Sequence, residues 1–186
     1  MKGNNKGFSL IEVLVTLVLT TIGILGMVAL QGSAVRYTQD SINRNNAVSL
    51  ANDLIEIMRQ YPDDLWQHSY QRYDRLQTST PLYNSSGSLA VAASGCVSNP
   101  QTLAQQAACW LQRVENTLPG AKLANIKNNI RICPSFKLES GAISCAGSSY
   151  MGSSMAIQLA WQARPGECME GDVNSLVCTH QMRFEP

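Results

Sequence analysis

The sequence predicts an α+β protein, in which a long N-terminal α-helix, its first half transmembrane, packs on an antiparallel β-sheet head held by disulfides. Three observations predict it. From Phe8 to Leu30 the chain is apolar, with Glu12 as its only charge, and no proline interrupts the helical pattern before Pro62. All six cysteines lie between Cys96 and Cys178. The last third of the chain alternates apolar and polar residues, the period of a strand with one buried face.

Residues 1–7 (MKGNNKG) are a hydrophilic leader with no structural role. Residues 8–30 follow as the membrane span, since a helix of that length reaches roughly 35 Å and a hydrocarbon core is about 30 Å thick. Thr16, Thr20 and Thr21 can bond back to helix carbonyls within it. Gly23 and Gly26 each weaken the helix by about 1 kcal/mol relative to alanine. They serve either close helix packing or a local stretching of the helix when it is repacked, and their spacing is not the small-xxx-small dimer pattern.

Glu12 is the anomaly of the span. A carboxylate in lipid costs up to roughly 3 kcal/mol at mid-bilayer, so one kept there marks a functional site. A cut between Gly7 and Phe8 would create an α-amine four residues before Glu12, on the same helix face. The carboxylate would then neutralise its own amine or that of a neighbouring helix packed slightly out of register. Joining two such helices removes unpaired charges from lipid. The plainer reading has Glu12 snorkelling to the cytoplasmic interface. A secretory signal peptide ending at Gly32-Ser33-Ala34 is disfavoured, because the apolar run exceeds the roughly 7–15 residues of such peptides and contains Glu12.

Lys6-Gly7-Phe8-Ser9-Leu10-Ile11-Glu12 resembles the processing site of type IV pilins and type II secretion pseudopilins. Glu12-Val13-Leu14-Val15, Gly23-Ile24-Leu25-Gly26 and Leu30-Gln31 are similar to the minor pilins called PilV. The resemblance covers residues 1–35 and thins beyond them. It implies the pilin fold, cleavage after Gly7 by a prepilin peptidase, N-methylation of Phe8 by the same enzyme, and a role for Glu12 in assembly. The partners it implies are other minor pilins, the major pilin, the inner-membrane assembly platform and a tip adhesin, with membrane lipid around the helix before assembly. In that family cytoplasmic ATPases drive extraction from the membrane, and this chain shows no nucleotide-binding motif.

Residues 31–60 continue the helix beyond the membrane. Val35, Ile42, Val48, Ala51, Leu54, Ile55 and Met58 recur near helical spacing, and Pro62 ends the run by forcing Tyr61 out of the helical region. Residues 61–186 form the head. Its first part, residues 61–98, is turn-rich, with Trp66, Tyr70, Tyr73 and Tyr83 as loop and core anchors more readily than a partner-facing patch. Asn84–Ser88 reads as a loop tip. Asn99 as N-cap with Pro100 at the first helical position predicts a short helix near 100–118, with Leu103, Ala107, Leu111, Val114 and Leu118 on its buried face and Pro119-Gly120 as the stop. Strands are expected at 129–133, less distinctly at 136–138, at 155–162 as a half-buried strand, and at 178–184. Short connections make the sheet antiparallel with one wet face, which the second half of the long helix can cover.

The even cysteine count, confined to the C-terminal half, reads as a disulfide framework and an oxidising compartment. Six cysteines allow fifteen connectivities, and proximity in sequence favours Cys96–Cys109, Cys133–Cys145 and Cys168–Cys178. Zinc is disfavoured, since no Cys-x-x-Cys occurs and His68 and His180 sit near no matching cluster. Glu170 and Asp172, flanking Gly171, are weak calcium ligands and read as a solvated turn. No metal and no cofactor is expected. Lys2 and Lys6 precede the span while Arg36 and Arg44 follow it, too small a bias to orient the chain. The cysteines orient it, with the N-terminus cytoplasmic and the head periplasmic.

Catalysis finds no support, because no nucleophile elbow, zinc-protease helix or phosphate loop is present. A net charge of +1, with Arg131, Arg164 and Arg183 scattered, indicates no nucleic-acid partner. The expected function is that of a low-abundance minor pilin at an inner-membrane and then pilus location, priming assembly and supporting twitching motility and adhesion. A type II secretion pseudopilin shares the same N-terminal logic and differs in its deletion phenotype, lost secretion with intact pili. A single-pass periplasmic sensor or binding domain would keep its N-terminus uncleaved.

Overall fold

The computed structural model describes residues 9–69, 72–135, 138, 143–147, 150–168 and 175–186, with the side chains of residues 68, 69 and 72–74 outside the description. The leader 1–7 with Gly7, and also Phe8, Tyr70, most of the strand expected at 136–138, Glu170 and Asp172 lie outside the described residues. Residues 1–39 and 40–186 form two separate units.

The first unit is described by α1 alone, the helix Leu10–Arg59 that also supplies the first element of the second unit. Absence of proline and the straight-chain and β-branched apolar run make it helical without interruption, through Gly23, Gly26 and Gly32. Its start is bonded by the Ser9 carbonyl, which accepts from the amides of Glu12 and Val13. Its end tightens, the amides of Gln60 and Tyr61 donating to Ile57 and Met58 three residues back, before Pro62. Tyr61 takes φ −129°, as the following proline requires.

Within the second unit the buried stripe of α1 is Ala47, Leu50, Ala51, Leu54 and Met58, a spacing of three and four residues. That corrects the face read from sequence. Val35 and Ile42 are 59% and 52% exposed, whereas the polar Asp40 on the same helix is buried.

A four-residue helix, α2 (Pro62–Leu65), leads into the hairpin β1 (Trp66–Ser69) and β2 (Arg72–Leu76), antiparallel with a register shift at Gln67/His68. The hairpin is a correction to the turn-rich reading of residues 61–98. Trp66-Gln67-His68-Ser69 lacks the period-two pattern that marks a strand, and pairing with β2 makes it one. Tyr83 is a core anchor, fully buried, with its hydroxyl donating to the Gln77 carbonyl at 2.8 Å.

The short helix expected near 100–118 is α3 (Leu103–Thr117), and its N-cap is Thr102, not Asn99. The Thr102 hydroxyl accepts from the Gln105 amide at 3.3 Å, and Gln105 Oε1 accepts from the Gln101 amide at 2.9 Å. This reciprocal arrangement satisfies two orphan donors, which Asn99 ahead of a proline could not do. Leu103, Ala107, Trp110, Leu111 and Val114 are buried on its inner face. Trp110 Nε1 donates to the Leu50 carbonyl of α1 at 2.7 Å, and Arg113 pairs with Asp53 at 3.0 Å.

After α4 (Ala124–Lys127) comes a three-stranded antiparallel sheet in the order β3 (Arg131–Pro134), β4 (Met155–Gln162), β5 (Val177–Phe184). Of the indistinct strand at 136–138, Leu138 is described as a single bridge to Ile143. The alternation in β4 misleads on burial, because Met155 to Trp161 are all buried, on both faces of the sheet. Met155, Ile157, Leu159 and Trp161 join the main core with α3 and the second-unit part of α1. On the opposite face Ala156 packs with Cys133 and Ile143, beside Cys145. The wet face expected of the sheet is therefore covered at its central strand.

Candidate functional site

Two features concentrate the chemistry of this chain, an apolar helix bearing one acid and a head closed by disulfides. In the first unit Glu12 occupies the first turn of α1 and is exposed. Around it Leu10, Ile11, Val13, Leu14 and Val15 are 48–82% exposed, and large apolar side chains stay exposed on every side as far as Leu30. This is the one described helix long and apolar enough to cross a membrane, with a window mean hydropathy of 2.5.

The polar side chains inside that stretch are satisfied by the helix itself. Thr16 donates to the Val13 carbonyl at 2.8 Å, Thr20 to Thr16 and Leu17 at 2.9 and 3.0 Å, and Thr21 to Val18 at 2.8 Å. A helix so bonded carries no exposed hydroxyl donor to penalise lipid or a helix-packed surrounding. A Cβ added at Gly23, Gly26 or Gly32 would meet nothing within 4 Å, so no contact among the described residues requires glycine there. Glu12 is thus the only ionic group between Phe8 and Leu30, a carboxylate in an otherwise apolar stretch.

In the head, Cys96 is bonded to Cys109, Cys133 to Cys145 and Cys168 to Cys178, and no described cysteine is free. Each bond closes a loop of 10–13 residues in sequence separation, worth about 3 kcal/mol apiece in chain entropy. The first ties the 3-10 turn Ala93–Gly95 to α3. The second lies over the far face of β4. Here the loop Asn84–Ser88 closes on it, with Asn84 Oδ1 accepting from the amides of Ser86 and Ser88 at 3.0 Å each and the Gly87 carbonyl accepting from Ile132 at 2.9 Å. Gly87 has φ +81°, and a Cβ on it would stand 2.5 Å from Cys145 Sγ. Glycine is needed there for both reasons.

Gln158, fully buried on β4, locks the same region. Its Oε1 accepts from the Ile143 amide at 3.1 Å and from Gln181 Nε2 at 3.0 Å, while its Nε2 donates to the Asn129 carbonyl at 2.8 Å. Sequence reasoning passed over Gln158, Gly87 and the packing role of Trp110; a polar residue in the middle of an apolar strand is the one signal that could have marked Gln158. Burial pushes the Tyr83 phenol well above its ordinary value of 10.0, with the Thr80 hydroxyl opposing weakly.

Among the described residues no group of three or more His, Cys, Asp or Glu side chains is placed to hold a metal ion. His180 lies on β5 and His68 on β1, in different sheets.

Two family models match the chain. The one described as prokaryotic N-terminal methylation motif covers residues 2–28, and the one described as type IV pilin Tt1218 covers residues 29–110. No curated protein and no solved structure matches it.

Proposed function

Because this chain is a type IV pilin, of a family whose proteins are structural and not enzymatic, we propose that it serves as a minor pilin of the PilV type, incorporated at low abundance. The observation that carries the reading is Glu12, one acid in the first turn of a helix whose apolar residues are exposed on all sides. A prepilin peptidase cuts after Gly7, Phe8 becomes the methylated N-terminus, and residues 8–30 anchor the protein in the inner membrane. In the fibre, the new amine of one subunit complements Glu12 of its own or a neighbouring helix. The apolar surface leaves lipid for a bundle of like helices, with residues 31–60 continuing the helix beyond it.

The disulfide-closed head, residues 61–186, faces the periplasm and then the cell surface, where it contacts other minor pilins, the major pilin and a tip adhesin. Priming of assembly, twitching motility and attachment follow from that position. The apolar helix, the methylation motif and the crosslinked head support it.

Substituting Glu12→Ala tests the account. Trimming and methylation of the N-terminus, read by mass spectrometry of the membrane form, should continue. The fraction recovered in sheared pili should fall about tenfold or more, since an unpaired charge in lipid costs up to roughly 3 kcal/mol and 1.4 kcal/mol is tenfold. Normal incorporation of the variant would overturn charge pairing. A protein that still begins at Met1 in cells with assembled pili would overturn the pilin reading.

A further inference from the structure

The head carries a groove outside the apolar helix and the disulfides. It opens between α2 and the β1–β2 hairpin, with a cavity volume of about 370 Å³, at the lower end of the roughly 300–1,000 Å³ of small-molecule sites. Its walls are Asp63, Trp66, Gln67, Arg75, Thr78 and Ser79. Asp63, Gln67 and Ser79 are exposed, while Trp66, Arg75 and Thr78 are half-buried.

We propose that this groove binds a neutral sugar ring, as the terminal or internal residue of an oligosaccharide. The first reason is the wall chemistry. A pyranose presents one face of C–H groups and an edge of hydroxyls, each both donor and acceptor. The indole of Trp66 offers a flat apolar surface for the former. Gln67, Thr78 and Ser79 each carry donor and acceptor atoms for the latter, and Asp63 adds strong acceptors.

The second reason is charge. One carboxylate and one guanidinium line the same small space, so their fields oppose and favour neither an anion nor a cation. A hydroxyl-rich neutral ligand can donate to the carboxylate and accept from the guanidinium side of the groove without adding a charge of either sign. An apolar ligand is disfavoured by the same walls, since it would strip these polar groups of water and return no hydrogen bonds.

The third reason is support from behind. The Trp66 carbonyl accepts from Gln77 Nε2 at 3.1 Å, and Arg75 Nε donates to Gln67 Oε1 at 2.5 Å. Leu76, which lines the groove, is buried in the core. Trp66 and Gln67 on β1 are thus tied to Arg75 and Gln77 across the groove's floor strands before any ligand arrives, which lowers the ordering cost of binding.

The test uses the full chain in dimethylamine-oxide micelles, which bear no sugar headgroup to compete. It is applied to an array of neutral oligosaccharides, sialylated and sulfated glycans, and acidic and basic peptides. Neutral glycans should be retained, with a shift of tryptophan emission on titration. Binding should fall at least tenfold in Trp66→Ala and, separately, in Asp63→Ala, whose exposed side chain is not part of the core. Near-ultraviolet circular dichroism unchanged in Asp63→Ala would assign its loss to the groove and not to unfolding. The proposal is overturned if no neutral glycan is retained, if retention survives Asp63→Ala with the fold intact, or if charged glycans or peptides are held preferentially. The array reads binding without pili, so its outcome is independent of the Glu12 experiment.

Discussion

Gln158→Leu isolates what holds the far side of the sheet together. The substitution keeps approximate volume in the central strand but removes the acceptor of the buried Ile143 amide and the donor to the Asn129 carbonyl, at 3.1 and 2.8 Å. An orphaned buried group costs about 1–3 kcal/mol, and leucine regains part of that through apolar burial. The expected net loss is about 2–4 kcal/mol. For a head of this size each kcal/mol lowers the melting temperature by about 2–4 °C, so the midpoint should drop by roughly 5–15 °C. The assay is thermal unfolding of the full chain in micelles, followed through tryptophan circular dichroism. Gln162→Ala, at the exposed end of the same strand, is the control and should shift stability by less than about 0.5 kcal/mol. A Gln158→Leu midpoint within about 1 °C of the parent would refute the buried-network argument, as would an equal loss in the control.

Gly87→Ala should destabilise the head by more than 1 kcal/mol, because it forces a side chain onto φ +81° and against the Cys133–Cys145 bridge; urea unfolding measures it, and a neutral effect would show that the Asn84–Ser88 loop yields freely. Tyr83→Phe should cost about 1 kcal/mol at neutral pH for the lost bond to Gln77. The folded phenol titrates above its ordinary 10.0, so its stabilisation is complete below about pH 10 and is lost as pH rises from there toward the raised folded value. Urea midpoints at pH 8 and 11 should therefore fall more steeply in the parent than in Tyr83→Phe, and parallel falls would count against burial of the hydroxyl.

Much of the architecture is legible because local physics writes it. The first helix needs only a proline-free apolar run, and its stop needs only the restriction that Pro62 places on Tyr61. α3 shows its buried face at Leu103, Ala107, Leu111 and Val114, although its start was misplaced by three residues. An Asn-Pro pair is a generic N-cap signal, and the Thr102–Gln105 capping arrangement outcompetes it through two real hydrogen bonds. The hairpin of β1 and β2 was hidden for the opposite reason. Its stability comes from pairing and from packing beside Trp66 and Leu76, which no window of a few residues contains.

By itself the sequence determined the kind of protein: a lone acid in an apolar helix with a methylation-type motif, followed by a cysteine-rich α+β head. Those features depend on composition and on neighbours within a few residues, where helix periodicity and the cost of a charge in lipid act. Only the tertiary structure decided that β4 is buried on both faces, that Gln158 and Gly87 hold its far cover, and that the hairpin walls a groove around Trp66. Burial on a second face depends on what other segments lie there, and alternation along one strand carries no record of them.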